Sequence, residues 1–156
     1  MHSNTQLITD FYLAFQQGDA EAMAACYAPD VHFSDPVFTE LHGAQAGDMW
    51  RMLTAGAKEF SLVFDGVQAN DQTGCAHWVA SYTFSKTGRR VVNDIQAKFV
   101  FQDGKIVRHQ DSFNLWSWSR QALGLKGLLL GATPMVQNAI RQQAAKSLAL
   151  YRHKTT

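Results

Sequence analysis

Three ionisable side chains, Asp35, His109 and Asp111, stand in rows that are otherwise apolar. Through Val31-His-Phe-Ser-Asp-Pro36 the residues alternate, so Val31, Phe33 and Asp35 share one face of a short strand, and His32 and Ser34 share the other. Pro36 cannot donate to a ladder and holds its predecessor extended, which ends the strand there. Asp35 is therefore either an Asp-Pro turn-former or a reactive acid closing an apolar row. Further along, His109 and Asp111 travel with Val107, Phe113 and Leu115 and alternate with Ile106, Arg108, Gln110, Ser112 and Asn114. The plainer reading of that pair is a histidine bonded to one partner and an acid tied to backbone amides, Arg108 or His109 at a sheet rim. The chemical reading is general acid/base work. Two carboxyls in apolar surroundings resist ionisation and, if close, titrate apart, leaving one as acid and one as base near neutral pH. Such chemistry needs no cofactor, and none is expected. His32, His42 and His77 share no helical or strand spacing that makes a metal-ligand set, so no metal is expected either.

The elements that must position these groups follow from periodicity. Leu7, Ile8, Phe11, Ala14 and Phe15 recur at helical spacing over about residues 4 to 17; Gly18 is a stop signal, and Asp19 is an N-cap for a second short helix through Tyr27. A third helix, from about Ala44 to Ala55, carries the stripe Met49, Trp50 and Leu53. From Glu59 the period becomes two, in long runs separated by Asn70-Asp-Gln-Thr-Gly74, Lys86-Thr-Gly88 and Gln102-Asp-Gly104, which predicts four antiparallel strands. Asn93, Ile95, Ala97, Phe99 and Phe101 share one face there, and Trp78, Ala80, Tyr82 and Phe84 share another. After Leu115 the chain turns helical: Trp116 and Trp118 precede a Gly-broken loop, Leu123 to Ala132, and Pro134 starts a helix with Val136, Ile140, Ala144, Leu148 and Tyr151 on one side. The expected fold is a single α+β domain over 1–156. A curved antiparallel sheet wraps as a cone around the N-terminal helices, and 116–156 forms a C-terminal helical tail.

A chain of 156 residues, 46% hydrophobic and 17% charged, has the material for one sizeable core. Its net charge of +1 and scattered basic residues give no field for nucleic acid. No apolar run reaches the ~18 residues of a membrane span. Cys26 and Cys75 read as buried thiols of a cytoplasmic protein. Among the aromatics, Phe11, Tyr12, Phe33, Trp50, Trp78, Phe99, Phe113 and Trp116 are the candidate lining of a pocket for a small apolar molecule, or else simply core. The Leu123 to Ala132 segment is a lid, a membrane-touching edge or, as the favoured reading, a contact in a homodimer.

The stretches Gly18-Asp-Ala-Glu-Ala-Met-Ala-Ala-Cys-Tyr27, Val31-His-Phe-Ser-Asp-Pro-Val37 and Phe99-Val-Phe-Gln-Asp-Gly-Lys-Ile-Val-Arg-His-Gln-Asp-Ser-Phe-Asn114 resemble the nuclear transport factor two-like superfamily. This is the α+β cone of ketosteroid isomerases, SnoaL-like polyketide cyclases and limonene epoxide hydrolases. The resemblance implies a general base at Asp35, as in ketosteroid isomerases. Their oxyanion-holding tyrosine falls on Phe11, one residue from Tyr12, and their late acid falls near Ala97. Against the epoxide hydrolases, one catalytic aspartate falls on Asp111, the Arg-x-Asp pair falls on Trp78 and Ala80, and the water-holding tyrosine and asparagine fall on Phe33 and Asp35. Both comparisons leave Asp35 and Asp111, with His109, as the acid/base set. The implied function is a pocket for a small apolar molecule, with cofactorless isomerase, cyclase or hydratase chemistry on an apolar carbonyl or polyketide-like substrate. The alternative is a non-catalytic dimeric ligand-binding or interaction domain.

Overall fold

The computed structural model describes residues 2–155, leaving Met1 and Thr156 of the expected domain outside the described residues. Two helices, α1 (Ser3–Gln16) and α2 (Ala20–Ala25), lead into strand β1 (Tyr27–Ser34). Gly18 turns the chain between the helices with a φ of +69°, and Asp19 accepts from Ala22 N–H at 3.0 Å as the N-cap of α2. Tyr27, expected at the end of that helix, instead opens β1, because α2 stops at Ala25. A short β2 (Leu41–His42) and helix α3 (Ala44–Gly56) follow, then β3 (Lys58–Ala69), β4 (Thr73–Phe84), β5 (Arg89–Gln102) and β6 (Lys105–Ser112). Three C-terminal helices complete the described chain: α4 (Leu115–Leu123), α5 (Leu125–Leu130) and α6 (Pro134–Thr155).

The six strands form one curved sheet in the order β2-β1-β6-β5-β4-β3. β3 to β6 are antiparallel as the turns predict, while β1 lies parallel to β6 and pairs with β2 as an antiparallel hairpin. The inner face of β5 is the row Val91, Asn93, Ile95, Ala97, Phe99 and Phe101. Of this row, Ile95, Ala97, Phe99 and Phe101 pack in one core with Trp78 and Ala80 of β4 and with Ile8, Phe11, Tyr12 and Phe15 of α1.

Along β6 the alternation slips once. A register shift against β5 at Val100 and Phe101 turns Ile106 inward, leaves Val107 half-buried, and returns His109 and Asp111 to the inner face.

Three further sequence expectations change. Leu53 of the α3 stripe is 40% exposed, since α3 buries only Met49 and Trp50 among its large side chains. Cys75 is exposed rather than buried, because it sits on the outward row of β4, whereas Cys26 is buried as expected. Leu123 to Ala132 is mostly helical rather than a loop. Gly127 allows this, since any Cβ there would meet the Ser119 backbone, so α5 packs against α4 backbone to backbone. Among the described residues, no helix is long and apolar enough to cross a membrane.

Candidate functional site

β6 delivers His109 and Asp111 to the inner face, and its neighbours shape what they meet. Phe33 of β1 and Phe99 of β5 pair with His109 across the sheet, and Ala97 pairs with Asp111. The imidazole is fully buried, with ring centroids at 4.4 Å from Phe99, 5.0 Å from Phe33, 5.5 Å from Phe11 and 6.3 Å from Trp50.

A hydrogen-bonded line runs through this apolar packing. Trp50 Nε1 donates to the Tyr27 hydroxyl at 2.8 Å, and that hydroxyl lies 2.8 Å from His109 Nδ1. His109 Nε2 is 2.9 Å from Asp111 Oδ1, which also receives Trp78 Nε1–H at a long 3.5 Å. The Tyr27 oxygen accepts from Trp50 and keeps its own proton to offer to Nδ1; with that bond made, Nε2–H of His109 donates to Asp111 Oδ1. Burial, the largest cause, pushes the Tyr27 hydroxyl well above the usual tyrosine range, and the charge of Asp111 adds to it, so Tyr27 keeps its proton.

Asp35 follows β1 directly and shapes the turn after it. Its Oδ1 accepts from Val37 N–H at 2.7 Å and Phe38 N–H at 2.6 Å, while its own N–H donates to Phe38 O at 2.8 Å. Arg141 of α6 holds the same turn by donating from Nε to Pro36 O at 2.9 Å.

The residue is only half-buried, yet its carboxyl is closely surrounded by protein. Burial, the largest cause, and the charge of Asp111 raise it against the lowering effect of the Phe38 and Val37 N–H bonds, to about 7 in all. Asp35 and Asp111 line one open cleft of about 450 Å³, with Ser34, Thr39, Ser112 and Phe113 among the other walls. Among the described residues, no hydrogen bond joins Asp35 to Asp111 or His109. A larger open depression of about 570 Å³, bordered by Lys98, Arg108 and Gln110, has no acid or histidine in its lining.

The structure thus brings Asp35 and Asp111 to one cleft and puts His109 behind Asp111. Phe113 borders the cleft, while Phe11, Tyr12, Phe33, Trp50, Trp78 and Phe99 pack in the core. Trp116 lies apart, 36% exposed, with Nε1 donating to Leu128 O and Arg120 over its ring.

The Tyr12 hydroxyl is the one buried side-chain polar atom without a partner among the described residues. Burial pushes it well above the usual tyrosine range, with Asp111 and Tyr27 adding to the shift.

Tyr27 was missed by sequence reasoning. The inward parity it shares with Val31 and Phe33 was the available signal, masked by its placement at a helix end. Also missed was a grouping at the sheet edge, where His32, Glu40 and His42 bring three possible ligand atoms within 4.8 Å of one another. Their spacing gave no hint of it because the hairpin, not a helix or a single strand, makes the approach.

The profile of the SnoaL-like domain family matches residues 8–109, so the chain belongs to that family, within the nuclear transport factor two-like superfamily. The sequence matches none of the curated proteins significantly. Among solved structures, the fold is similar to a provisionally assigned polyketide cyclase from Xanthomonas campestris pv. campestris, with a TM-score of 0.65 and 25% identity over 77% of this chain and 96% of that one. It is similar to an LEH-like epoxide hydrolase from M. tuberculosis, with a TM-score of 0.65 and 18% identity over 85% of this chain and 96% of that one. It is also similar to TerC co-crystallised with polyporic acid, with a TM-score of 0.67 and 17% identity over 79% of this chain and all of that one.

Proposed function

We propose that this SnoaL-like chain binds a small apolar carbonyl or polyketide-like molecule in the cleft between Asp35 and Asp111, and that it performs cofactor-independent proton transfer there, as an isomerase, cyclase or hydratase. The observation that carries the reading is that Asp35 and Asp111 line one cleft, with the carboxyl of Asp35 raised to about 7. A carboxyl poised near neutrality both takes and returns a proton at useful rates.

Asp35 is the proton-transfer group in this reading. Its Oδ1 is occupied by two backbone N–H groups, which fix the carboxyl plane and leave Oδ2 outside those bonds. Asp111 is the second carboxyl, positioned by its bond to His109, and its charge is among the causes that raise Asp35. His109 has no exposure and acts through Asp111 as a positioning residue. TerC's co-crystallisation with polyporic acid and the provisional cyclase assignment of a relative agree with a small organic ligand for this fold.

The test is hydrogen–deuterium exchange next to a carbonyl, followed by NMR, on a panel of apolar carbonyl compounds preselected by thermal shift. Exchange catalysed by the wild type and abolished in Asp35→Asn supports the reading; equal rates in both contradict it.

One observation favours the second reading, a dimeric binding domain without chemistry. The positions that would hold an oxyanion are Phe11 and Ala97, which offer no side-chain donor, and the usual largest source of catalysis is then missing. Ligand binding without exchange in any compound is the outcome that selects it.

A further inference from the structure

We propose that His32, Glu40 and His42 form a site for a divalent transition-metal ion, Zn²⁺ by its donor set, at the sheet edge outside the cleft. His32 and His42 face each other directly across the antiparallel β1–β2 pair, with ring centroids 4.4 Å apart. Glu40 reaches between them from the turn. Its Oε1 lies 3.2 Å from His32 Nδ1 and 3.4 Å from His42 Nε2. Donors about 2.0–2.1 Å from a tetrahedral ion stand about 3.3 Å from each other, so these two separations already match the edges of a zinc coordination shell.

All three ligand atoms fall within 4.8 Å of one another, and the side chains are 41%, 55% and 56% exposed, so the remaining edge closes by side-chain rotation without moving backbone. Two imidazoles and a carboxylate suit Zn²⁺ and its neighbours rather than Mg²⁺ or Ca²⁺, which prefer all-oxygen shells. Three protein donors leave one position for water.

The other exposed histidine cluster shows what a non-site looks like. His77 contacts Asp65 through Nδ1 at 2.8 Å and Asp94 through Nε2 at 2.7 Å. The two nitrogens point to opposite sides of the ring, so these donors diverge and no single ion reaches both. At His32, Glu40 and His42 the donors converge.

Position gives the ion a consequence. The ligands bracket the turn from Asp35 to Thr39, so a bound ion ties residue 32 to residues 40 and 42 and closes the segment that carries Asp35. Nothing in this depends on the acid/base reading of the cleft, since binding is measured on the free protein.

The experiment is isothermal titration of the full chain, free of any tag, with ZnCl₂, alongside Co²⁺ absorption spectra. The variants are His32→Ala, His42→Ala, Glu40→Gln and His77→Ala. Circular dichroism confirms that each variant folds, and the two histidine variants stand in for one another if either fails. The expected result is one Zn²⁺ per chain and visible Co²⁺ bands of a tetrahedral site. His32→Ala and His42→Ala each weaken binding by at least ~100-fold, and Glu40→Gln weakens it less; second-sphere losses alone reach about 10–100-fold. His77→Ala binds as the wild type does. Amide exchange over residues 35–39 slows when Zn²⁺ is added. Absence of Zn²⁺ binding by the wild type, wild-type affinity in the folded histidine variants, or loss of binding in His77→Ala overturns the proposal.

Discussion

Asp35 gives Oδ1 to the N–H groups of Val37 and Phe38 and borders, with Asp111, the cleft beyond them. The two sequence readings of this residue, turn-former and pocket acid, are therefore compatible in one side chain. Its raised value fixes the sign of a pH effect. A carboxyl near 7 in the folded chain and about 4 in the unfolded one binds its proton more tightly when folded. The stability this contributes is present below about pH 4 and is lost as pH rises through about 7. Asp35→Asn, which removes the charge, is expected to gain on the order of 1 kcal/mol over the wild type at pH 8, after allowance for partial exposure, and nothing at pH 4. Urea unfolding at the two pH values checks this.

His109→Ala leaves the Tyr27 hydroxyl and Asp111 without their buried partner and is expected to cost about 3 kcal/mol by the same measurement. Tyr12→Phe deletes a hydroxyl with no partner among the described residues. Stability should stay level or rise by about 1 kcal/mol, and a clear loss would mean that the hydroxyl is bonded to something in solution.

The elements were largely legible before the structure. Period-two runs and the turn segments gave β3 to β6, and Gly18 with Asp19 gave the break between α1 and α2, because each signal is local. What stayed hidden depends on pairing between distant segments. The slip at Val100 and Phe101 that turns Ile106 inward is set by β5 against β6, and the approach of His32 to His42 is set by a hairpin whose second strand has two residues. Tyr27 had the right parity, but no sequence rule says that its hydroxyl lies between Trp50 and His109. Helix α5 was hidden because Gly127 within it and Gly124 and Gly131 at its ends read as breakers, whereas Gly127 serves as the contact point against Ser119. Gly127→Ala forces these two helices apart and is expected to cost about 2 kcal/mol in thermal unfolding, while Gly56→Ala, with open space at its Cβ, does not.

Across the whole molecule, the cleft is braced from outside the family match. The profile ends at residue 109, whereas α6 comes back to hold the Asp35 turn through Arg141 and Pro36 O, and to hold α3 through Arg152 and Asp48 at 2.9 Å. Asp48 also bonds Arg51, which bonds Glu21 of α2, so one polar chain links the C-terminal helix to the N-terminal ones. Arg141→Ala should leave global stability within about 1 kcal/mol of the wild type, since the bond is partly exposed, while amide exchange over residues 36–39 speeds up.

The central claim is that burial and Asp111 together poise Asp35 near neutrality inside their common cleft. Its most direct test is a ¹³C carboxyl NMR titration of Asp35 in the wild type and in Asp111→Asn. The account predicts an apparent value near 7 that moves down in the variant. An ordinary value near 4, the same in both proteins, would contradict it.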